Sequence, residues 1–336
     1  MEGKALPYRL TMGKKYFLIP FFAFLALHFS PLFILSTEDD LIKKTKIMAT
    51  VFPLYEMAKV VAGERGEVKF LLPPGAEVHT WQPRPSDMLK LLTADILIYV
   101  DDSLEPWLQE MTKGVSSEKL EIIEASRELI PTDITACLSS SEREKRAEAE
   151  VRKDEHPQGG LLDPHIWLDF GIDRKIVDRI EKTLSRLDPD HEEGYRKRAG
   201  VYKKRLEDLD KKYQKSLSQC ESRTFIVGGH AAFGYLAHRY GLHQVALYGL
   251  SPDSKPSPRK ITEVVKVAKA HRAKAIYFES FISSELASVI ARETGAKILT
   301  LNTGATVSRE EFKSGITFFE IMEKNLENLK HGLNCR

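Results

Sequence analysis

The sequence predicts an α/β protein with two lobes, each a mostly parallel sheet flanked by helices, and one long rigid helix that joins them. Short runs rich in apolar and β-branched residues alternate with segments of helical spacing, which is the pattern of parallel βαβ units. This alternation occurs twice, before and after a helical segment of unusual length. The 336 residues suffice for two lobes of ordinary size, each expected to have its own core.

The first block of alternating elements begins near residue 44. Residues 94–100 form an apolar run of the kind that a sheet buries on both faces. Residues 86–93 have helical spacing, with Ser86 in the position of an N-cap. The predictions for this block are strands at residues 46–52, 67–72 and 94–100 and helices at residues 54–61 and 86–93.

Two features separate the first block from the second. Residues 139–160 are charged and lack an apolar period, which predicts an exposed loop. Helical spacing resumes near Arg174, and a second helix is predicted over residues 191–217. At about 1.5 Å per residue this helix is about 40 Å long, which exceeds one lobe. Its apolar residues, at spacings of three and four, are Tyr195, Ala199, Tyr202, Leu206, Leu209, Tyr213 and Leu217.

The second block repeats the first in kind. Its predicted strands are residues 224–228, 244–248, 275–278 and 297–301, and its predicted helices are residues 232–240, 261–271, 284–294 and 311–329. The predicted organisation is therefore an export signal or membrane anchor at residues 1–43, a first lobe at 44–188, a linking helix at 189–220 and a second lobe at 221–336.

The beginning of the chain carries the signal for cellular location. Four basic residues precede an apolar run at residues 16–35, and residues 37–40 then turn polar, which is the order of an export signal. The run approaches the length of a membrane span and no clear small-x-small cleavage site follows it, so an uncleaved anchor is the alternative. Either interpretation places the protein in the periplasm or on the extracytoplasmic face of a bacterial membrane.

Charge and cysteine content narrow the possible functions. Fifty basic and 48 acidic residues give a net charge of +2, which is too balanced for the positive field of a nucleic-acid-binding protein. The three cysteines, Cys137, Cys220 and Cys335, have no CxxC spacing and allow at most one intrachain disulfide. The sequence leaves their pairing open.

Three of the ten histidines follow a predicted strand or begin a loop, where ligand-contacting residues gather in open α/β sheets. These residues are His79, His165 and His230. Imidazole binds Zn²⁺ well near neutral pH, and three such groups would form a nearly complete tetrahedral shell. Their separations are too long for a local motif, so the site depends on the fold to bring them together.

The residues around each histidine resemble the three ligand loops of the zinc and manganese receptors of ABC importers, the ZnuA/TroA-like family. The segments are Gly75-Ala76-Glu77-Val78-His79-Thr80-Trp81, Asp163-Pro164-His165-Ile166-Trp167-Leu168-Asp169 and Gly229-His230-Ala231-Ala232-Phe233-Gly234. Residues 249–258 and 278–295 match without supplying ligands. The resemblance runs from about residue 46 to residue 329, with its motifs in family order.

The resemblance implies a monomeric metal receptor rather than an enzyme. Its cargo is a divalent ion, Zn²⁺ rather than Mn²⁺ because the third ligand is a histidine, and its partners are an importer's permease and ATPase. His79 and His165 belong to the first lobe and His230 to the second, so the ion binds in the cleft between them. The family's fourth ligand, an aspartate, is matched here by Asn302, a neutral and weaker donor. Water, Glu77 or Glu279 are the alternatives, and Glu279 can instead orient a histidine.

Two rival functions use the same residues. A zinc hydrolase also has three histidines and an open position, with Glu77 or Glu279 as its general base. A surface adhesin could use the metal as a structural part of the same fold. A receptor should stay folded without metal, whereas a structural site should not.

Overall fold

Two four-stranded parallel sheets organise the part of the chain that the computed structural model describes, namely residues 44–112, 120–128, 163–250, 256–279 and 285–336. The predicted export segment and the charged loop at residues 139–160 lie outside these ranges. Within the described residues, no helix combines the length and the apolar character needed to cross a membrane.

The first sheet has the strand order β2-β1-β3-β4, and every neighbouring pair is parallel. Its strands are β1 (Thr45–Ala49), β2 (Gly66–Phe70), β3 (Ile96–Tyr99) and β4 (Glu121–Glu124). The helices of this half are α1 (Phe52–Ala62), α2 (Pro85–Leu91) and α3 (Leu108–Thr112), followed by α4 (Phe170–Leu187).

The second sheet repeats this arrangement, with the order β6-β5-β7-β8 and parallel pairing throughout. Its strands are β5 (Thr224–Val227), β6 (His243–Ala246), β7 (Ala275–Phe278) and β8 (Lys297–Thr300). The helix α5 (Glu192–Leu217) precedes this sheet, and the remaining helices are α6 (Gly234–Arg239), α7 (Pro258–Ala270), α8 (Glu285–Thr294), α9 (Arg309–Ser314) and α10 (Phe318–Leu333). The predicted fold class is confirmed.

The long helix α5 has 26 residues, and the seven side chains predicted to form its apolar face are all buried. Its last turns are tied to α10, because the Tyr213 hydroxyl donates a 2.5 Å hydrogen bond to the carbonyl of Met322. A disulfide between Cys220 and Cys335 joins the end of α5 to the end of the chain, which settles the pairing that the sequence left open. Cys137 lies outside the described residues.

Several predicted boundaries are wrong for local reasons. The first strand ends at Ala49 rather than at residue 52, because Pro53 stands in the first turn of α1 and fixes a helical φ there. The N-cap of α2 is Arg84 rather than Ser86, since Pro85 takes the first helical position. The closing helix predicted at residues 311–329 is two helices, α9 and α10, which Gly315 separates with a φ of 77°. The short elements α3 and β4 were not predicted.

The expectation that each lobe has its own core is also wrong. Alternate residues of the strands point to opposite faces, so Ile47 and Phe225 enter one continuous core that contains both sheets' inner faces and the buried face of α5. The other faces form two smaller clusters, one with Met48 and Leu97 and one with Ile226 and Ile276. The helices between the sheets pack against residues of both halves, so the main core is not divided into two.

Candidate metal centre

The first ligand loop follows β2. The backbone turns at Gly75, which has a φ of 85°, and the amide of Ala76 donates to the carbonyl of Pro73 at 2.9 Å. The side chain of Glu77 then accepts a 3.0 Å hydrogen bond from the amide of Thr80, which holds the loop in a tight turn around His79. The Nε2 atom of His79 is buried and has no hydrogen-bond partner among the described residues.

The second ligand loop is held by a carboxylate two residues before the histidine. Oδ1 of Asp163 accepts the backbone amide of His165 at 3.0 Å and lies 2.7 Å from its Nδ1. His165 is only 1% exposed. A short 3₁₀ turn follows, and Asp169 then caps α4 by accepting the amides of Gly171 and Ile172.

The third ligand loop depends on a glycine pair after β5. A Cβ atom on Gly229 would lie 2.3 Å from Oε1 of Glu279, so only glycine allows this close approach. The same carboxylate oxygen accepts the amide of His230 at 3.1 Å. It also lies 2.8 Å from Nδ1 of His230, as an ion-pair contact rather than a well-aligned hydrogen bond.

The fold brings the three predicted histidines together from three separate loops. The ring centroids are 5.4 Å apart for His79 and His165, 5.1 Å for His79 and His230, and 5.0 Å for His165 and His230. One nitrogen from each ring lies within 4.8 Å of the other two. Around a tetrahedral zinc with Zn–N bonds of about 2.0–2.1 Å, ligand nitrogens are about 3.4 Å apart. The Nε2 atoms of His165 and His230, 3.1 Å apart, are close to this separation, and the nitrogen of His79 lies within 4.8 Å of the other two.

The tautomers of the two buried rings explain why this cluster needs a cation. Carboxylates stand beside Nδ1 of His165 and Nδ1 of His230, which favours the tautomer with its proton on Nδ1 whenever either ring is neutral. The two Nε2 atoms then carry lone pairs, yet they face each other at 3.1 Å. Two acceptors at this distance repel unless a proton or a metal ion is shared between them.

The space between the rings is small. The cavity that these histidines line with Glu77, Glu279 and Asn302 has a volume of about 30 Å³. A water molecule needs about 10–15 Å³ on this scale, so the cavity takes one ion with at most one or two waters. The hydroxyl of Thr306, which also faces it, is buried without a partner in the described part of the chain.

Burial sets the protonation of the centre. It lowers the pKa of His79 to about 2, with a further contribution from the two neighbouring rings, and lowers the pKa of His165 well below its usual value. Burial also acts to lower the pKa of His230, but the carboxylate of Glu279 outweighs it and the net shift is upward. Burial raises the pKa of Asp163 to about 7. Two rings are therefore ready to bind metal, and the third competes with protons.

The three predicted oxygen donors differ in availability. Asn302 lines the cavity, but its Oδ1 accepts the amide of Gly304 at 2.8 Å and so closes its own loop. Glu77 is half-buried and uses one oxygen for Thr80, and burial raises the pKa of its carboxyl. Glu279 is 6% exposed and lies directly against His230.

One functional residue escaped the sequence reasoning. The motif around His165 assigns no role to Asp163, although this residue positions His165 through two contacts. The available signal was an aspartate two residues before a histidine, with a proline between them to fix the backbone.

A family model described as zinc-uptake complex component A, periplasmic (ZnuA), matches residues 47–332. The chain belongs to this zinc-uptake component A family. The family is that of a binding component of an uptake complex rather than of an enzyme, as the resemblance implied. The match covers both sheets and all three histidine loops.

Zinc proteins from Bacillus and Streptococcus are similar to this chain. The chain is 36% identical over 290 residues to the high-affinity zinc uptake system protein ZnuA of Bacillus subtilis, covering 86% of this chain and 88% of that protein. It is 33% identical to the zinc-binding protein AdcA of Streptococcus pyogenes, covering 85% of this chain but only 56% of AdcA. The chain thus spans little more than half the length of AdcA.

A solved structure of the same family supports the fold directly. The Zn(II)-bound ZnuA-like domain of Streptococcus pneumoniae AdcA superposes with a TM-score of 0.70 at 33% identity, covering 87% of this chain and 99% of that one. The predicted membership of the zinc and manganese receptor family is confirmed.

Proposed function

We propose that this chain is the extracytoplasmic receptor that binds one zinc ion and delivers it to the permease and ATPase of an ABC importer. The observation that carries the proposal is the 3.1 Å approach of the Nε2 atoms of His165 and His230, which repel each other when both rings are neutral, with His79 closing the triangle. A cation is the group that relieves this repulsion.

The donor set favours zinc over manganese. Three neutral imidazoles form a nitrogen-rich shell, which suits Zn²⁺, whereas Mn²⁺ prefers carboxylate and carbonyl oxygens. The relatives agree in kind, since ZnuA of Bacillus subtilis is a zinc uptake protein and the AdcA domain was solved with Zn(II) bound.

We propose Glu279 as the fourth ligand. Its carboxylate is buried, anionic and adjacent to His230, and it keeps lone pairs beyond the contacts it makes. Asn302 is neutral and its side-chain oxygen already closes a turn. Glu77 is more exposed and already accepts from Thr80.

Capture in this fold needs only a small motion. The two halves meet directly. The indole of Trp167 donates to the backbone carbonyl of Thr303 at 2.7 Å, and the amide of Phe52 donates to the backbone carbonyl of Ala305 at 2.9 Å. The core is continuous through α5, so a wide hinge would break packed contacts. We propose first and second lobes at residues 44–188 and 221–336, with the linking helix at 189–220.

The size of the cavity supports a receptor over a hydrolase. A volume of about 30 Å³ leaves no room for an organic substrate beside the metal. The adhesin alternative shares this geometry, and it requires a metal that stabilises the fold. A metal-free protein that unfolds cooperatively at a temperature well above ambient speaks for the receptor.

The membership of a periplasmic uptake family supports an extracytoplasmic location. We propose that residues 1–43 direct the chain there as an export signal or membrane anchor and that the protein acts as a monomer.

The test combines binding and delivery. Competition against a zinc chelator should give one tight site per chain in the wild type and a loss of at least a hundredfold in affinity for His230→Ala, with His191→Ala as the exposed control. A deletion strain grown under zinc limitation should recover with the wild-type gene but not with the His230→Ala gene. Recovery by both, or tight binding by His230→Ala, would contradict the proposal.

A further inference from the structure

A second concave site lies at the opposite edge of the second sheet. The metal centre is built on the carboxyl ends of the strands, whereas this pocket includes Ala275 and Lys297, the first residues of β7 and β8. Its volume is about 780 Å³, which is within the range of about 300–1,000 Å³ for sites that hold small organic ligands.

The lining of this pocket is strongly basic. It contains no aspartate or glutamate, and its ionisable residues are Lys269, Arg272, Lys274, Lys297 and His331. All five side chains are exposed, and none forms an ion pair within the described ranges. Small residues such as Gly295 and Gly332 form part of the wall, so backbone as well as cationic side chains faces the space.

Basic residues also stabilise the negative end of a helix dipole, and three helix C-termini lie at this edge of the sheet. The last turns of α7, α8 and α10 contribute Lys269, Thr294 and His331 to the pocket. Each C-terminus carries a partial charge of about −0.5, so the three together offset about 1.5 of the four full positive charges. A surplus of about two to three positive charges remains, so compensation of the helix ends does not account for the cluster.

Arg272 has a backbone conformation that residues other than glycine and asparagine rarely adopt. Its φ of 50° lies in the left-handed region, directly after the C-cap of α7, where glycine or asparagine is preferred. The strain is not relieved by any ion pair of its guanidinium within the described residues. Holding arginine at this position places a forked, permanently charged donor at the rim of the pocket.

We propose that this pocket binds a small molecule or headgroup that carries two or more phosphate groups. Arginine pairs with phosphate oxygens through two parallel N–H donors, and the lysines supply point charges around it. One phosphate ion fills only a small part of 780 Å³, so the pocket matches a ligand with several phosphates or a phosphorylated organic molecule. The site is independent of metal binding, because it lies at the other edge of the sheet.

The test uses metal-stripped full-length protein and sodium tripolyphosphate, so that chelation of zinc cannot mimic binding. Calorimetry at low ionic strength should show one saturable site whose affinity falls as salt is raised. Arg272→Gly should weaken binding at least tenfold. The fold should survive this change, because glycine adopts a φ of 50° without strain. Lys297→Gln should weaken binding in the same direction.

Lys313→Gln is the matched control, since it removes one exposed positive charge from α9, outside this pocket. It should change the affinity less than twofold, and Arg272→Gly should leave zinc affinity unchanged in the absence of tripolyphosphate. Vesicles that contain cardiolipin, whose headgroup carries two phosphates, identify the source: binding that tripolyphosphate displaces points to a lipid headgroup, and no vesicle binding points to a free ligand. Absence of saturable tripolyphosphate binding, or an equal loss in Lys313→Gln, overturns the proposal.

Discussion

Oδ1 of Asp163 lies 2.7 Å from Nδ1 of His165, and both groups are buried. When this carboxylate accepts a hydrogen bond from Nδ1–H, the opposite nitrogen Nε2 keeps its lone pair, and that nitrogen faces His230. The contact thus links a residue outside the cavity to the ability of the site to bind a cation.

Asp163→Asn tests this link. The amide can still accept a hydrogen bond, but it no longer makes the imidazole more basic, so we expect zinc affinity to fall by about 10–100-fold. Chelator competition measures the change. Asp208→Asn removes an acid that pairs with Lys204 on the surface and should leave the affinity unchanged. An unchanged affinity in Asp163→Asn would mean that its contact does not tune the ring.

A comparison of Glu279→Gln with Asn302→Ala tests the assignment of the fourth ligand. Loss of the Glu279 carboxylate should reduce zinc affinity at least tenfold, because it removes both a charge beside the ion and the partner of His230. Asn302→Ala should reduce affinity less than threefold, and it should lower the stability of the fold because the turn that Asn302 closes with Gly304 is lost. The reverse order of effects would identify Asn302 as the ligand.

The pH dependence of zinc affinity should reflect few protons. Zinc binds the unprotonated ring, so the raised pKa of His230 makes affinity fall as pH drops through that value. The pKa of Asp163 near 7 adds a second proton, whereas the lowered pKa values of His79 and His165 keep those rings neutral. In titrations between pH 8 and pH 5, log Kd should rise by about one to two for each unit by which the pH falls. A slope of three would contradict this account.

The disulfide should stabilise the fold without affecting the site. It closes a loop between residues 115 positions apart, so its loss increases the conformational entropy of the unfolded chain. The Cys220→Ser/Cys335→Ser variant should lose about 3–5 kcal/mol of unfolding free energy in denaturant titrations of the apo protein. Cys137→Ser keeps the pair intact and serves as the control. A loss of zinc affinity in the double variant would show that the crosslink also shapes the metal centre.

Much of the fold can be predicted from the periodic spacing of apolar residues in the sequence. The apolar period of α5, from Tyr195 to Leu217, matches its buried face residue for residue, because a long helix averages over local exceptions. Short elements cannot be predicted from an apolar period in this way. The strand β4 and the helix α3 have four and five residues, which is too few for a period to stand out.

The continuous core and the convergence of the histidines depend on the tertiary structure and are not visible in the sequence pattern. Nothing in the spacing of His79, His165 and His230 shows that three loops reach one point, and only the resemblance to a family suggested it. The role of Asp163 and the engagement of Asn302 by Gly304 depend on side-chain directions, which a linear pattern does not contain.

X-ray absorption at the zinc edge, on protein loaded with one equivalent of zinc, tests the central claim most directly. The three-histidine site predicts a first shell of nitrogen and oxygen at about 2.0–2.1 Å, with the outer-shell scattering of three imidazole rings. His230→Ala should reduce that signal to two rings. A sulfur shell at about 2.3 Å, or the signal of a single ring in the wild type, would contradict the claim that these three imidazoles hold the ion.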